Sequence, residues 1–200
     1  MSDNSLFKSI LADTIHESAN SYLIKELTDQ FQSPQQLWHA TEQELMKVKG
    51  IGKAKSRQII AAVQLAKLIL VPRAEQAVIR SPRDIFELMR FEIGMENKEF
   101  FYILLLDTKN KVISKELISI GSLNATIVHP REVFNAAIRQ SAASILCVHN
   151  HPSGDPTPSQ EDIQLTNRLA EAGKIVGIEL LDHLVISGSD YVSLKEKGLI

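Results

Sequence analysis

The chain has 200 residues, of which 44% are hydrophobic and 23% charged, and its formal net charge is −2. That mix belongs to an ordinary soluble globular protein, sized for one domain or two small ones, and excludes a disordered or fibrous chain. No apolar run approaches the roughly 18 residues of a membrane span, and a single cysteine, Cys147, excludes an intrachain disulfide or a thiolate metal cluster built by this chain alone. No basic segment followed by an apolar block opens the sequence, so the expected compartment is the cytoplasm. Net charge gives no global reason to expect nucleic-acid binding, but its distribution is uneven: residues 1–73 sum to +2 and residues 74–200 to −4. Lys47, Lys49, Lys53, Lys55 and Arg57 form a local basic patch with no acid among them.

In chain order, Ile15, Ala19, Tyr22, Leu23, Leu27 and Phe31 recur at helical spacing over residues 12–31. Ser33 followed by Pro34 reads as an N-cap and a first helical residue. Thr41 and Glu44 stand where a capping box places them, ahead of Leu45 and Val48. Gly50 and Gly52 break the pattern, and a helix follows over about 54–70, stopped by Pro72. Residues 1–73 are thus predicted to be a small all-helical domain, and residues 74–80 a linker.

From Ser81 the pattern changes. Ser81 and Pro82 open a helix to about Arg90. Two apolar, β-rich runs at 100–106 and 112–120 are joined by the turn-forming Asp107, Thr108, Lys109 and Asn110, and read as a hairpin. A helix after His129 is expected to bury Val133, Phe134, Ala137 and Ile138. Residues 144–148 read as a central strand, 149–158 as loop, 159–172 as helix and 175–186 as strand. The expected fold of 81–200 is an α/β (or α+β) sandwich with a mixed sheet.

The chemistry concentrates in residues 149–162. His149 and His151 lie two apart in extended backbone, so their side chains point to one side and can share a metal ion. The loop after them brings Asp162, in the first turn of the next helix, to the same place. Two imidazoles and a carboxylate suit zinc and leave a fourth position for water, whose pKa the metal lowers towards about 7. The plain structural alternative is that Ser159 is a helix N-cap after Pro158 and Asp162 its acidic N3 partner.

His149-x-His151-Pro152, a loop, and Ser159-x-x-Asp162 resemble the JAMM (MPN+) metalloprotease signature. Together with His129-Pro-Arg-Glu-Val-Phe and Leu181-Asp-His-Leu-Val-Ile they resemble, more narrowly, the bacterial RadC family, formerly described as DNA repair proteins. The resemblance covers residues 75–200 and implies a cytidine-deaminase-like fold holding one zinc ion through His149, His151 and Asp162. It also implies that Ser159 supports the tetrahedral intermediate, and that a glutamate takes a proton from the metal-bound water. Glu99, ahead of the 100–106 strand, occupies the glutamate's place, with Glu96 as the alternative. Cys147 reads as a buried small residue, His183 as a core or supporting histidine, and His129 as a cap.

A second motif, Val48-Lys-Gly50-Ile-Gly52-Lys-Ala-Lys-Ser-Arg-Gln-Ile59, resembles the helix-hairpin-helix pattern, with Ser56 where alanine is usual. It implies weak, sequence-nonspecific DNA contact through Lys49, Gly50, Gly52, Lys53, Lys55 and Arg57, with backbone N–H groups at the helix start meeting a phosphate. The expected function is a zinc-dependent JAMM-type hydrolase acting on a peptide or isopeptide bond of a protein substrate. Its rivals are a metal-dependent nuclease and a non-enzymatic DNA-associated protein.

Overall fold

The computed structural model describes residues 3–72, 74–75, 77–121 and 128–200. The chain forms two compact units, Met1–Leu70 and Val71–Ile200. The first contains α1 (Asp3–Thr14), α2 (Tyr22–Gln30), α3 (Pro34–Trp38), α4 (Glu42–Leu45) and α5 (Lys53–Leu70). They enclose a core that includes Leu11, Ile15, Ile24, Leu27, Leu45, Val48, Ile51 and Ile59.

The stripe expected over 12–31 is interrupted. α1, whose Phe7 and Leu11 face the core, ends at Thr14, and His16 takes φ +56°. Ser21 then caps α2, its Oγ accepting from the Ile24 N–H at 3.3 Å. Ser18, Asn20 and Ser21 are short polar residues whose side chains compete for backbone hydrogen bonds, and that breaks the helix. Tyr22, expected on the buried stripe, is 65% exposed. The capping box forms as its spacing predicts: Thr41 Oγ1 accepts from the Glu44 N–H at 3.2 Å, and Glu44 Oε2 accepts from the Thr41 N–H at 2.9 Å. Gly50 takes φ +95°, and a Cβ there would stand 3.1 Å from Leu23 Cδ1, so the turn before α5 requires glycine.

The second unit contains α6 (Pro82–Ile93), β1 (Phe100–Leu106), β2 (Val112–Ile120), α7 (Pro130–Arg139), β3 (Ser144–Asn150), α8 (Gln160–Val176), β4 (Glu179–Ser187) and β5 (Asp190–Ser193). The strand order is β2-β1-β3-β4-β5, with β3 and β4 parallel and the other pairs antiparallel. One face packs on α6 through Phe86, Met89, Leu104, Leu146, Val148 and Leu184. The other packs on α7 and α8 through Phe101, Phe134, Ile145, Cys147, Leu165 and Leu169. The mixed-sheet α/β sandwich expected from the sequence is therefore present, with β3 at its centre and buried along its whole length.

Arg73, where the helical domain was expected to end, and Gln76 lie outside the described residues. Within 74–80, the Ala77 carbonyl accepts from the Val112 N–H at 2.8 Å and the Ile79 N–H donates to the Asn110 carbonyl at 2.9 Å.

Several boundaries differ from expectation, each for a local reason. β3 continues to Asn150, because His149 pairs with Phe101 and Asn150 with Ile186 on its two flanks. Helix α8 runs to Val176, and Gly177 at φ +76° ends it by donating to the Gly173 carbonyl. Residues 175–176, expected as strand, are thus helical, and Ile175 is 86% exposed. On α7, Val133, Phe134 and Ala137 are buried, but Ile138 is 58% exposed. At about 100° per residue, it falls beyond Phe134, past the edge of the face that Val133, Ala137 and Phe134 bury. β5 was not anticipated.

Candidate metal centre

The site is assembled where β3 ends and α8 begins. His149, on the last full pair of β3, shares its sheet face with Cys147 and is completely buried. His151 stays extended because its N–H donates to the Ile186 carbonyl at 2.8 Å. The chain then turns through Gly154 at φ +94°, and Asp155 Oδ1 accepts from the Thr157 N–H at 2.9 Å. That turn brings the Asp155 carbonyl 2.9 Å from His151 Nδ1. A carbonyl only accepts, so Nδ1 of His151 carries the proton and Nε2 is the free nitrogen.

Ser159 caps α8. Its Oγ accepts from the Asp162 N–H at 3.1 Å and donates to Asp162 Oδ2 at 2.7 Å, while its own N–H donates to that oxygen at 2.7 Å. The box places a buried carboxylate against the histidines. His149 Nε2 stands 3.3 Å from Asp162 Oδ1 and His151 Nε2 stands 3.4 Å from Oδ2. The two Nε2 atoms are 3.0 Å apart, and one ligand atom from each of the three residues lies within 4.8 Å of the others.

This donor set fits a metal. Tetrahedral ligands at about 2.0–2.1 Å from zinc stand roughly 3.3–3.4 Å from one another; each imidazole stands that far from one oxygen of Asp162, and the two Nε2 atoms stand somewhat closer. Two imidazole lone pairs and a carboxylate turned on one another at such distances repel unless a cation or a proton lies between them. Burial lowers the pKa of His149 against the pull of Asp162, whereas the Asp162 carboxylate beside it raises that of His151. Burial pushes the Asp162 carboxyl up, but the His149 and His151 rings beside it and the Ser159 hydroxyl outweigh it and hold the group ionised.

Behind His149 lies a second buried layer. Its Nδ1 meets His183 Nε2 at 2.8 Å, and His183 Nδ1 meets Thr166 Oγ1 at 2.6 Å. Burial pushes the His183 pKa well below its ordinary value. The Phe101 ring stacks on His149 at 6.1 Å and meets His183 edge-on at 5.3 Å. Thr166 was not singled out from the sequence; its trace there is a threonine four residues after Asp162, on the same helix face. Asn150 was also missed. Its Oδ1 accepts from the Phe100 N–H at 2.7 Å, and its Nδ2 donates to the Glu96 and Lys98 carbonyls at 3.3 and 2.9 Å, fastening the segment that carries Glu99.

Glu99 is half-buried ahead of β1, and its charge raises the proton affinity of both His149 and His151. The Glu96 charge instead bears on Tyr102. Cys147 is buried, and burial pushes its thiol pKa up. His129 caps α7, with Nδ1 accepting from the Arg131 N–H at 3.1 Å.

Lys49, Gly50, Gly52, Lys53, Lys55 and Arg57 lie in the first unit, at the turn before α5 and on its first turns. Lys49, Lys53 and Arg57 are exposed. Lys55 Nζ pairs with Glu17 Oε1 at 2.5 Å and Arg57 Nε with Glu42 Oε1 at 3.6 Å. Ser56 is buried, and its hydroxyl donates to the Lys53 carbonyl at 3.1 Å.

A mixed sheet between helical layers, with two imidazoles from a strand end meeting a carboxylate from a helix's first turn, defines a metal-binding domain compatible with metal-dependent hydrolysis. A family model described as a RadC-like JAB domain matches residues 79–199, and the chain belongs to the RadC family. It is 47% identical to a UPF0758 protein of Geobacillus kaustophilus over all of this chain and 89% of that protein. It is 50% identical to one of Bacillus velezensis over all of this chain and 87% of that protein. A third, from Listeria monocytogenes serotype 4b, is 52% identical over 84% of this chain and 75% of its own length. Among the described residues, no helix is long and apolar enough to cross a membrane.

Proposed function

We propose that this chain is a zinc-dependent hydrolase that cleaves an amide bond, peptide or isopeptide, in a protein substrate. The observation that carries this reading is the convergence of His149, His151 and Asp162, with one ligand atom from each within 4.8 Å of the others. Bound there, zinc polarises a carbonyl and makes water a nucleophile at neutral pH. Glu99, whose charge reaches both histidines, takes the proton of the attacking water and passes it to the leaving amine. Ser159 holds the Asp162 carboxylate in place, and its hydroxyl reaches an oxyanion only by giving up the bond to Oδ2.

Metal content of the purified protein tests the reading, with His149→Ala/His151→Ala as the control. Near one zinc per chain, lost in the double variant, is expected. Metal-dependent cleavage of a peptide substrate, abolished by Glu99→Gln, should follow. No stoichiometric metal after zinc reconstitution overturns the reading, and metal-dependent cleavage of DNA but not of peptides replaces it with a nuclease.

The first unit adds weak, sequence-nonspecific DNA binding in this proposal. The glycine turn and the exposed Lys49 and Lys53 support it, while the ion pairs of Lys55 and Arg57 keep its electrostatic reach small. Two phosphate contacts give a log–log salt slope of about −2 in a titration of duplex DNA. Affinity insensitive to Lys49→Ala/Lys53→Ala would remove DNA from the proposal.

A further inference from the structure

The buried layer behind His149 has a direction that follows from counting protons. Thr166 Oγ1 lies 2.5 Å from the Asp162 carbonyl, four residues back on α8. A carbonyl only accepts, so the one hydroxyl proton of Thr166 is committed to it. The contact between Thr166 and His183, 2.6 Å long, must then be donated by His183 Nδ1–H. A completely buried imidazole without a carboxylate partner stays neutral, so His183 Nε2 is a bare acceptor. His149 Nδ1, 2.8 Å away, must be the donor, which leaves the lone pair of His149 Nε2 facing Asp162 and His151.

A bulge makes this contact possible. Ile145 pairs with Leu180 but Leu146 pairs with Asp182, so Leu181 is an extra residue in β4. Without the bulge, regular alternation through Leu181 would put His183 on the opposite sheet face. With it, His183 pairs with Cys147 and shares the face that carries His149.

We propose that His183 and Thr166 are positioning residues that fix His149 in the tautomer protonated on Nδ1 and so reserve Nε2 for the metal. Asp162 then serves twice, through its carboxylate as a ligand and through its carbonyl as the anchor of the relay. The purpose assigned to the relay rests on the metal reading above, but the tautomer does not.

The test is 15N-detected imidazole NMR on uniformly labelled, metal-free protein, combined with zinc affinity from competition with a chelating dye. In wild type, the His149 and His183 rings should both show a protonated Nδ1 and a bare Nε2. Thr166→Val, close in volume, removes the acceptor of His183; the expected results are a changed tautomer pattern in both rings and zinc binding weakened about 10- to 100-fold. Thr166→Ser should restore both readouts, which a loss of packing alone would not allow. A wild-type His149 protonated on Nε2, or Thr166→Val leaving both spectra and the zinc affinity unchanged, overturns the proposal. The expected tautomers without zinc uptake uphold the positioning and refute the metal reading instead.

Discussion

Ser159 is where a structural and a catalytic reading of the same hydroxyl can be separated by measurement. Its Oγ accepts from the Asp162 N–H and donates to the Asp162 carboxylate. Ser159→Ala deletes an N-cap worth about 1 kcal/mol, within a range of about 0.5–2. It also deletes a hydrogen bond to a charged acceptor, worth about 1.5–3 kcal/mol when such a bond is lost singly. Because one hydroxyl serves both, and the Ser159 N–H still holds Oδ2, the two losses overlap and about 2 kcal/mol is expected. Urea unfolding of chelator-treated protein, followed by circular dichroism, reads this as a lower midpoint at unchanged slope. Ser159→Thr keeps the hydroxyl and should stay within about 0.5 kcal/mol of wild type. Ser159→Gly also lacks the hydroxyl, but glycine at an N-cap costs only a few tenths of a kcal/mol relative to serine, so it should fall between Thr and Ala. An alanine variant as stable as wild type refutes the capping argument. A glycine variant that keeps most of its stability but loses activity shows that the hydroxyl also meets the reacting atoms.

Four other outcomes follow from particular contacts. Free zinc at 100 times its dissociation constant should stabilise the wild type by about 2.7 kcal/mol and His149→Ala/His151→Ala by nothing; thermal melts with and without chelator check this, and equal shifts in both proteins refute it. Gly173→Ala should destabilise by about 1–3 kcal/mol despite alanine's higher helix propensity, since the added Cβ would stand 2.5 Å from the Ile178 carbonyl oxygen and 3.2 Å from Phe134 Cζ. A neutral or stabilised variant in urea would mean that the backbone can yield there. Asp182→Ala should cost about 3 kcal/mol in the same assay, because the buried carboxylate accepts from the His183 and Lys195 N–H groups and the Ser193 hydroxyl at 2.7, 3.1 and 2.6 Å. Backbone N–H groups of Arg80 and Ser81 hold the Asp84 carboxyl below its ordinary 3.8; a depressed folded pKa contributes stability above the unfolded value and loses it as pH falls, so the penalty of Asp84→Asn should be full at pH 7 and shrink below about pH 4, and a penalty undiminished in acid refutes the assignment.

What the sequence disclosed, and what it withheld, divides along the range of the forces involved. The Thr41–Glu44 and Ser159–Asp162 boxes are local devices whose partners lie three residues apart, and both form. The β1–β2 hairpin was legible because its turn and its two apolar runs are contiguous. The helix break at residues 15–21 also has local causes, in Ser18, Asn20 and Ser21, but apolar spacing carried across it reads as one continuous helix. The end of β3 was hidden for the opposite reason. His149 and Asn150 are polar, and only their pairing with Phe101 and Ile186, residues distant in sequence, keeps them in the strand.

The same division runs through the site. His149, His151 and Asp162 were legible because a strand end, a turn and a helix cap follow one another within a short segment, so spacing alone implies convergence. His183 and Thr166 could not be read that way. The contact between His183 and His149 depends on β3 and β4 being parallel neighbours and on a bulge that absorbs Leu181 and so keeps His183 on the face of Cys147. Read by strict alternation, Leu180 and His183 fall on opposite faces, yet Leu180 packs in the same core as Cys147 and His183 reaches His149. A bulge costs a ladder hydrogen bond and some regularity, and here it lets a carbonyl on α8 dictate, through a hydroxyl and two imidazoles, which nitrogen of His149 stays open. Regular alternation through Leu181 would turn His183 away from His149, so the sheet's irregularity, rather than its regular pattern, brings the two imidazoles together.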